Sequence, residues 1–190
     1  MDRRAAVAAL VEQRGPLLVV SGLGSPSYDL FAAGDHDANF YLWGAMGSAA
    51  LVGLGLALAQ PGRPVAVLTG DGEQLMGLGG LATIAVQRPG NLTVLVLDNG
   101  RFGETGMQLS HTGLGLELHR VAAAAGFPEA VALASLDEVR AFRPALQRLE
   151  GGPRFATLRI AASQPPRALP ARDGVHLKNR FRLHLGLPPL

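Results

Sequence analysis

The sequence predicts an α/β domain, a doubly wound and mainly parallel sheet with helices on both faces. Three observations predict it. Short, largely apolar runs rich in β-branched residues, Leu17 to Ser21, Val65 to Thr69, Leu92 to Asp98 and Phe155 to Ile160, read as strands buried on both faces. Alanine- and leucine-rich helical segments alternate with them. Tight connections, Gly62-Arg63-Pro64, Arg88-Pro89-Gly90 and Gly151-Gly152-Pro153, each stand just before a strand.

The helical segments follow in order. Arg3 to Gln13 has a basic start and an apolar middle, but the apolar stretch ends at Glu12-Gln13-Arg14 without a cleavage pattern, so it reads as an amphipathic helix rather than a signal peptide. Ser48 to Ala59 closes a glycine-rich apolar run that starts at Gly44. That run is shorter than the roughly 20 residues that span a bilayer, so it predicts a buried helix. Gln74 to Val86, Leu116 to Ala125 and Leu136 to Leu149 complete the set, the last interrupted or kinked at Pro144. Residues 1–163 therefore form one domain. After Ile160 the chain turns proline- and arginine-rich, Gln164-Pro165-Pro166-Arg167, and resumes at His176 to Leu185, so 164–190 reads as an extended tail packed on the domain or on a partner subunit.

Composition narrows the function classes. Of 190 residues, 48% are hydrophobic and only 17% charged, which excludes disorder and favours an oligomer with interfacial surface. A formal net charge of +2 carries no nucleic-acid field. Cysteine is absent, which excludes a disulfide framework, a thiolate metal site and a cysteine nucleophile, and fits a reducing cytoplasm.

Ligands of such sheets bind beyond the carboxyl ends of the strands. Two loops occupy those positions. Thr69-Gly70-Asp71-Gly72-Glu73 follows the strand ending at Thr69; its glycines let backbone approach a phosphate, and Asp71 offers a hard oxygen to Mg2+. Leu97-Asp98-Asn99-Gly100-Arg101 follows the next strand, with the Asn99 amide oxygen and the Arg101 carbonyl as further donors. Each alone is also an ordinary turn. Together they say more, because Asp71 and Asn99 lie 28 positions apart, one helix plus one strand, which places them at neighbouring strand ends.

Gly70-Asp71-Gly72 followed by Asp98-Asn99 resembles the cofactor signature of the thiamine-diphosphate enzyme family. The resemblance implies the thiamine-diphosphate-binding fold, with residues 1–163 as its diphosphate- and Mg2+-binding domain. It implies Asp71, Asn99 and the Arg101 carbonyl as metal ligands, and Gly70, Gly72, Glu73 and Phe102 around the diphosphate. Asp98, where the family carries asparagine, resembles its phosphonopyruvate and sulfopyruvate decarboxylase branch, as does Gly103-Glu104-Thr105-Gly106-Met107-Gln108. Gly44-Ala45-Met46-Gly47 resembles the family's turn under the cofactor, with Met46 as the wedge that bends it and the Gly44 carbonyl as an acceptor; the plain reading is a buried methionine. Gly24 and Ser25 resemble the loop that touches the diphosphate, and Ser25 or Ser27 equally suits a helix cap.

Glu104, His111 and His36 are acid–base candidates, with local hydrogen bonding or simple exposure as the alternatives. Lys178, Arg180 and Arg182 suit an anionic substrate or a subunit contact. The resemblance further implies a 2-oxo-acid decarboxylase whose activating glutamate comes from a separate, pyrimidine-binding subunit, giving a cytoplasmic hetero-oligomer without nucleic acid or membrane. A carboligase of the acetolactate-synthase or aldehyde-lyase type and a catalytically silent regulatory subunit are the alternatives.

Overall fold

A computed structural model describes residues Met1–Leu190. The chain runs α1 (Arg3–Val11), β1 (Leu18–Ser21), α2 (Ser25–Ala32), β2 (Asn39–Tyr41), α3 (Ala49–Ala59), β3 (Val65–Gly70), α4 (Asp71–Met76), α5 (Gly80–Gln87), β4 (Leu92–Asp98), β5 (Arg101–Phe102), β6 (Gln108–Leu109), α6 (Leu118–Ala125), β7 (Glu129–Leu133), α7 (Leu136–Phe142), β8 (Arg154–Arg159) and α8 (Gly174–His184). The main sheet has the order β2-β1-β3-β4-β8-β7, and every pairing in it is parallel. β5 and β6 form a separate antiparallel ribbon.

Side chains alternate between the two faces of the central strands, and each face has its own core. Val65 and Val67 of β3 and Leu92, Val94 and Val96 of β4 pack with α3, α5 and α6. Ala66 and Leu68 of β3 and Leu95 and Leu97 of β4 pack with α1 and α7. Gly53 brings α3 close to the sheet: a Cβ there would lie 2.1 Å from Val67 Cγ2.

The structure departs from the sequence expectation in four places. Two edge strands, β2 and β7, join the four expected ones. The helix expected at Gln74 to Val86 starts at Asp71 and breaks after Met76, where a Cβ on Gly77 would fall 1.9 Å from the Gly47 carbonyl oxygen. The last helix is interrupted at Pro144 as expected but falls short of Leu149: it stops at Phe142 and tightens into a 3-10 turn, Arg143–Gln147.

The tail is not extended throughout. Asp173 caps α8 by accepting hydrogen bonds from the Val175 and His176 amides at 2.9 and 3.1 Å. Phe181 of α8 is buried against Phe40, with ring centroids 5.5 Å apart. Arg180 donates to Asp35 Oδ2 at 2.7 Å and to the Asn39 carbonyl at 3.0 Å, which fastens the helix beside β2. Lys178 donates to the Leu190 carbonyl and Arg182 to that of Pro188. Lys178, Arg180 and Arg182 are therefore engaged inside the chain.

Arg3 Nε donates to Asp29 Oδ2 at 2.6 Å, joining α1 to α2 with both side chains buried. Asp29→Ala strands a buried guanidinium and should cost about 3 kcal/mol in urea unfolding. Burial alone pushes the Asp35 carboxyl up, but hydrogen bonds from Arg180 and the Tyr41 hydroxyl more than reverse this, holding it below the ordinary carboxylate range. Its stabilisation is present above the unfolded pKa of about 4 and disappears as pH falls through the folded value. Asp35→Asn should thus lower the thermal midpoint at pH 7 by the equivalent of about 1 kcal/mol or less, and the gap should close in melts at pH 3.

Candidate functional site

Parallel register brings three strand ends to one rim. Ser21 of β1 pairs with Leu68, and Gly70 of β3 pairs with Leu97. The segments that leave β1, β3 and β4 consequently open on the same side of the sheet. Behind β3 there is no loop. Asp71, Gly72 and Glu73 form the first turn of α4, where backbone N–H groups lack partners within the helix.

Asp71 is buried; its Oδ2 accepts from Ser110 Oγ at 2.5 Å and lies 3.0 Å from Thr112 Oγ1. Burial pushes its carboxyl above the ordinary range; the Ser110 bond pulls against that, and neighbouring Asp98 adds to the push. Asp98 Oδ1 accepts from Thr112 Oγ1 at 2.7 Å and from the Gly100 amide at 3.0 Å. Asn99 Oδ1 accepts the Arg101 amide at 2.9 Å, closing the turn in which Gly100 takes φ +68°. A carbonyl oxygen has a second lone pair, so Asn99 keeps acceptor capacity. Asp71, Asn99 and the Arg101 carbonyl form an all-oxygen donor set beside a desolvated negative charge, chemistry that suits a hard divalent cation.

Glycines let the backbone come close at this rim. A Cβ on Gly72 would sit 2.9 Å from Phe102 Cδ1, and one on Gly24 would sit 2.9 Å from Glu104 Oε1. In the turn before α3, Gly44, Ala45 and Gly47 all have positive φ, at +105°, +51° and +87°. For Ala45 this is a strained conformation, over-determined by the packing of Gly47 against Gly77. The turn leaves Met46 47% exposed on the cleft wall, where the plain reading placed it in the core. Glu73 turns its side chain inward, accepting from Thr69 Oγ1 at 2.8 Å. Burial raises its carboxyl, opposed by the Thr69 bond and by the nearby amides of Ala49, Gly47 and Leu23, while its buried Oε1 has no hydrogen-bond partner.

Ser25, Met46, Gly70, Asp71, Gly72, Glu73, Asn99, Arg101, Phe102 and Glu104 line one cleft. Gly24 lies behind it as the N-cap residue of α2, without a side-chain bond, and Gly44 lies in the turn below. Neither expected serine caps α2 through its side chain: Ser27 is buried and donates to the Gly22 carbonyl at 2.7 Å, and Ser25 donates to Glu104 at 3.3 Å. Glu104 also receives Arg167 at 3.2 Å, so it is locally bonded. His111 stands outside the cleft lining, exposed and edge-on to Phe102 with centroids 6.3 Å apart. His36 sits beside β2, its Nδ1 accepting the Ala38 amide, and takes no part in the cleft. Sequence reading misses Ser110 and Thr112; the available signal was two hydroxyls flanking His111.

A parallel sheet that gathers oxygen donors and glycine-rich backbone at its carboxyl rim defines a phosphate-ligand-binding domain of the doubly wound class. Residues 28–160 match the family described as thiamine pyrophosphate enzyme, C-terminal TPP binding domain, and the chain belongs to that family. Thiamine pyrophosphate is another name for thiamine diphosphate. A phosphonopyruvate decarboxylase of Streptomyces viridochromogenes is 43% identical over 177 residues, 90% of this chain and 43% of the relative. One from Streptomyces hygroscopicus is 48% identical over 138 residues, 72% of this chain and 34% of the relative. A sulfopyruvate decarboxylase subunit beta of Methanothermobacter thermautotrophicus is 47% identical over 110 residues, 58% of each. The chain thus spans less than half of the two Streptomyces relatives. In fold it is similar to benzoylformate decarboxylase from Polynucleobacter necessarius, with TM-score 0.67, 21% identity and coverage of 87% of this chain and 34% of that one.

The buried charge of Asp71 gives a direct stability test. An acid whose folded pKa is raised costs stability at pH values above its unfolded pKa. Asp71→Asn should therefore raise the thermal midpoint of the metal-free chain at pH 7 in chelator, with the gain shrinking as melts approach pH 4, where the unfolded carboxyl begins to protonate.

Proposed function

We propose that the chain is the diphosphate- and Mg2+-binding subunit of a thiamine-diphosphate-dependent, non-oxidative decarboxylase acting on an anionic 2-oxo acid of the sulfopyruvate or phosphonopyruvate kind. The observation that carries this is the convergence of Asp71, Asn99 and Arg101 with the Gly72 and Glu73 amides in one cleft. The donor chemistry fits the group: hard oxygens for Mg2+, free helix-start amides for the diphosphate, and a turn that presents Met46 beside them.

The roles follow from position. The Asp71 and Asn99 side chains and the Arg101 carbonyl would hold Mg2+, and Gly72, Glu73 and Ser25 would bind the diphosphate. Gly24 and Gly70 let the backbone approach. Met46 would support the cofactor from the cleft wall, and the Gly44 carbonyl would serve as an acceptor for its aminopyrimidine. Phe102 closes the wall over Gly72. When bound, thiamine diphosphate supplies the carbanion that adds to the 2-oxo carbon and the electron sink for loss of carbon dioxide. Glu104, held by Ser25 and Arg167, orients the rim.

A separate pyrimidine-binding subunit completes the site with an activating glutamate. Two features support this reading: a relative of similar sequence is named a beta subunit, and exposed Met46, Leu51 and Met76 lie around the Gly47–Gly77 contact beside the cleft. Such a patch suits an interface.

The test is reconstitution with the product of the adjacent reading frame, assayed with sulfopyruvate and phosphonopyruvate. Both chains together should release carbon dioxide and an aldehyde, and neither alone should. Met46→Ala should lower kcat about 10²-fold in the assembled enzyme, the scale of a misplaced reacting geometry. Full turnover by this chain alone would remove the second subunit from the account, and a hydroxyketone product would make the enzyme a carboligase.

A further inference from the structure

Asp71 meets two hydroxyls on one side only. Ser110, fully buried, donates to its Oδ2 at 2.5 Å, and Thr112 Oγ1 lies 3.0 Å from the same oxygen. The two hydroxyls are 2.8 Å apart, and Thr112 is also 2.7 Å from Asp98 Oδ1. A single hydroxyl proton cannot serve two carboxylates at once. The shorter distance assigns the Thr112 proton to Asp98 and leaves the Ser110 bond as the one that fixes Oδ2. Oδ1 accepts no hydrogen bond from any other residue, while Asp71 lines the cleft.

The hydroxyls are themselves held in place. The Ser110 amide donates to the Gly100 carbonyl at 2.9 Å, and a Cβ on Gly113 would fall 2.3 Å from that same oxygen. The segment from Ser110 to Gly113 is thus fastened to the turn that carries Asn99 and Arg101. Side chain and backbone together set the angle at which Asp71 faces the cation.

We propose that Ser110 and Thr112 are positioning residues that keep Asp71 a one-oxygen ligand and so set a preference for Mg2+ over Ca2+. This rests on the metal-site reading above. Mg2+ is small, demands near-octahedral geometry and takes one oxygen from a carboxylate readily; Ca2+ accepts more ligands and often binds both oxygens of one carboxylate. A two-oxygen bite by Asp71 would have to turn Oδ2 out from between Ser110 and Thr112, weakening the short charge-assisted bond from Ser110 and leaving that buried hydroxyl only the neutral Thr112 Oγ1, 2.8 Å away, as acceptor. The penalty falls on the larger ion.

The experiment measures the apparent Kd of thiamine diphosphate for the full chain by calorimetry, in saturating Mg2+ and again in saturating Ca2+. Wild type should bind more tightly with Mg2+. Ser110→Ala should shrink the ratio of the two Kd values about tenfold, the lower end of the usual effect of losing an outer partner of a metal ligand. Thr112→Val should shrink it less, and Ser110→Thr, which restores the hydroxyl, should recover it. A ratio unchanged in both Ser110→Ala and Thr112→Val, with affinity lost equally for both ions, would reduce the pair to a structural role and overturn the proposal. Wild-type binding that ignores both metals would instead overturn the metal-site reading on which it rests.

Discussion

The burial of the Asp71 carboxylate is the constraint around which the rim is organised. A charge taken out of water must find hydrogen bonds or a counter-ion, and the structure provides the first while leaving one oxygen open for the second. Ser110 and Thr112 reach Asp71 from a segment far along the chain, and their backbone is fastened to the turn after β4. That turn in turn holds Asn99 and Arg101. Because β3 and β4 are parallel and in register through Gly70 and Leu97, the two ends arrive at the same height without further adjustment.

Close backbone approach is the second organising feature. Gly53 seats α3 on the sheet, and Gly47 and Gly77 let the turn that carries Met46 touch the break between α4 and α5. Glu73 lies beneath these elements, held by Thr69 and near the amides of Leu23, Gly47 and Ala49. Strain at Ala45 persists beside the close packing of Gly47 on Gly77, which fixes the far side of the turn. Exposure of Met46 is thus a property of the fold around it and not of the methionine alone.

Much of this was legible in the sequence where the physics is local. The β-branched runs at Val65 and Leu92 announce central strands, and the spacing of Asp71 and Asn99 places both at strand ends. Edge strands β2 and β7 escaped because Asn39–Tyr41 is very short and Glu129–Leu133 is alanine-rich, so neither shows a run of β-branched residues. The break after Met76 comes from contact with Gly47, a neighbour that no local window contains. Ser110 and Thr112 were hidden for the same reason: their contacts with Asp71 cross about forty positions, and the imidazole between them draws the eye while facing Phe102. The tail cations looked available to a ligand, yet Arg180 is spent on Asp35 and Asn39.

The central claim is that the rim of β3 and β4 holds a divalent cation between this chain and a diphosphate. A crystal of the chain grown with thiamine diphosphate and Mn2+ in place of Mg2+ tests it most directly, through the anomalous signal of the metal. The account predicts one strong peak bonded to a single oxygen of Asp71, the Asn99 amide oxygen, the Arg101 carbonyl and the diphosphate. A bound cofactor with its metal elsewhere, or with no metal between it and Asp71, would contradict it.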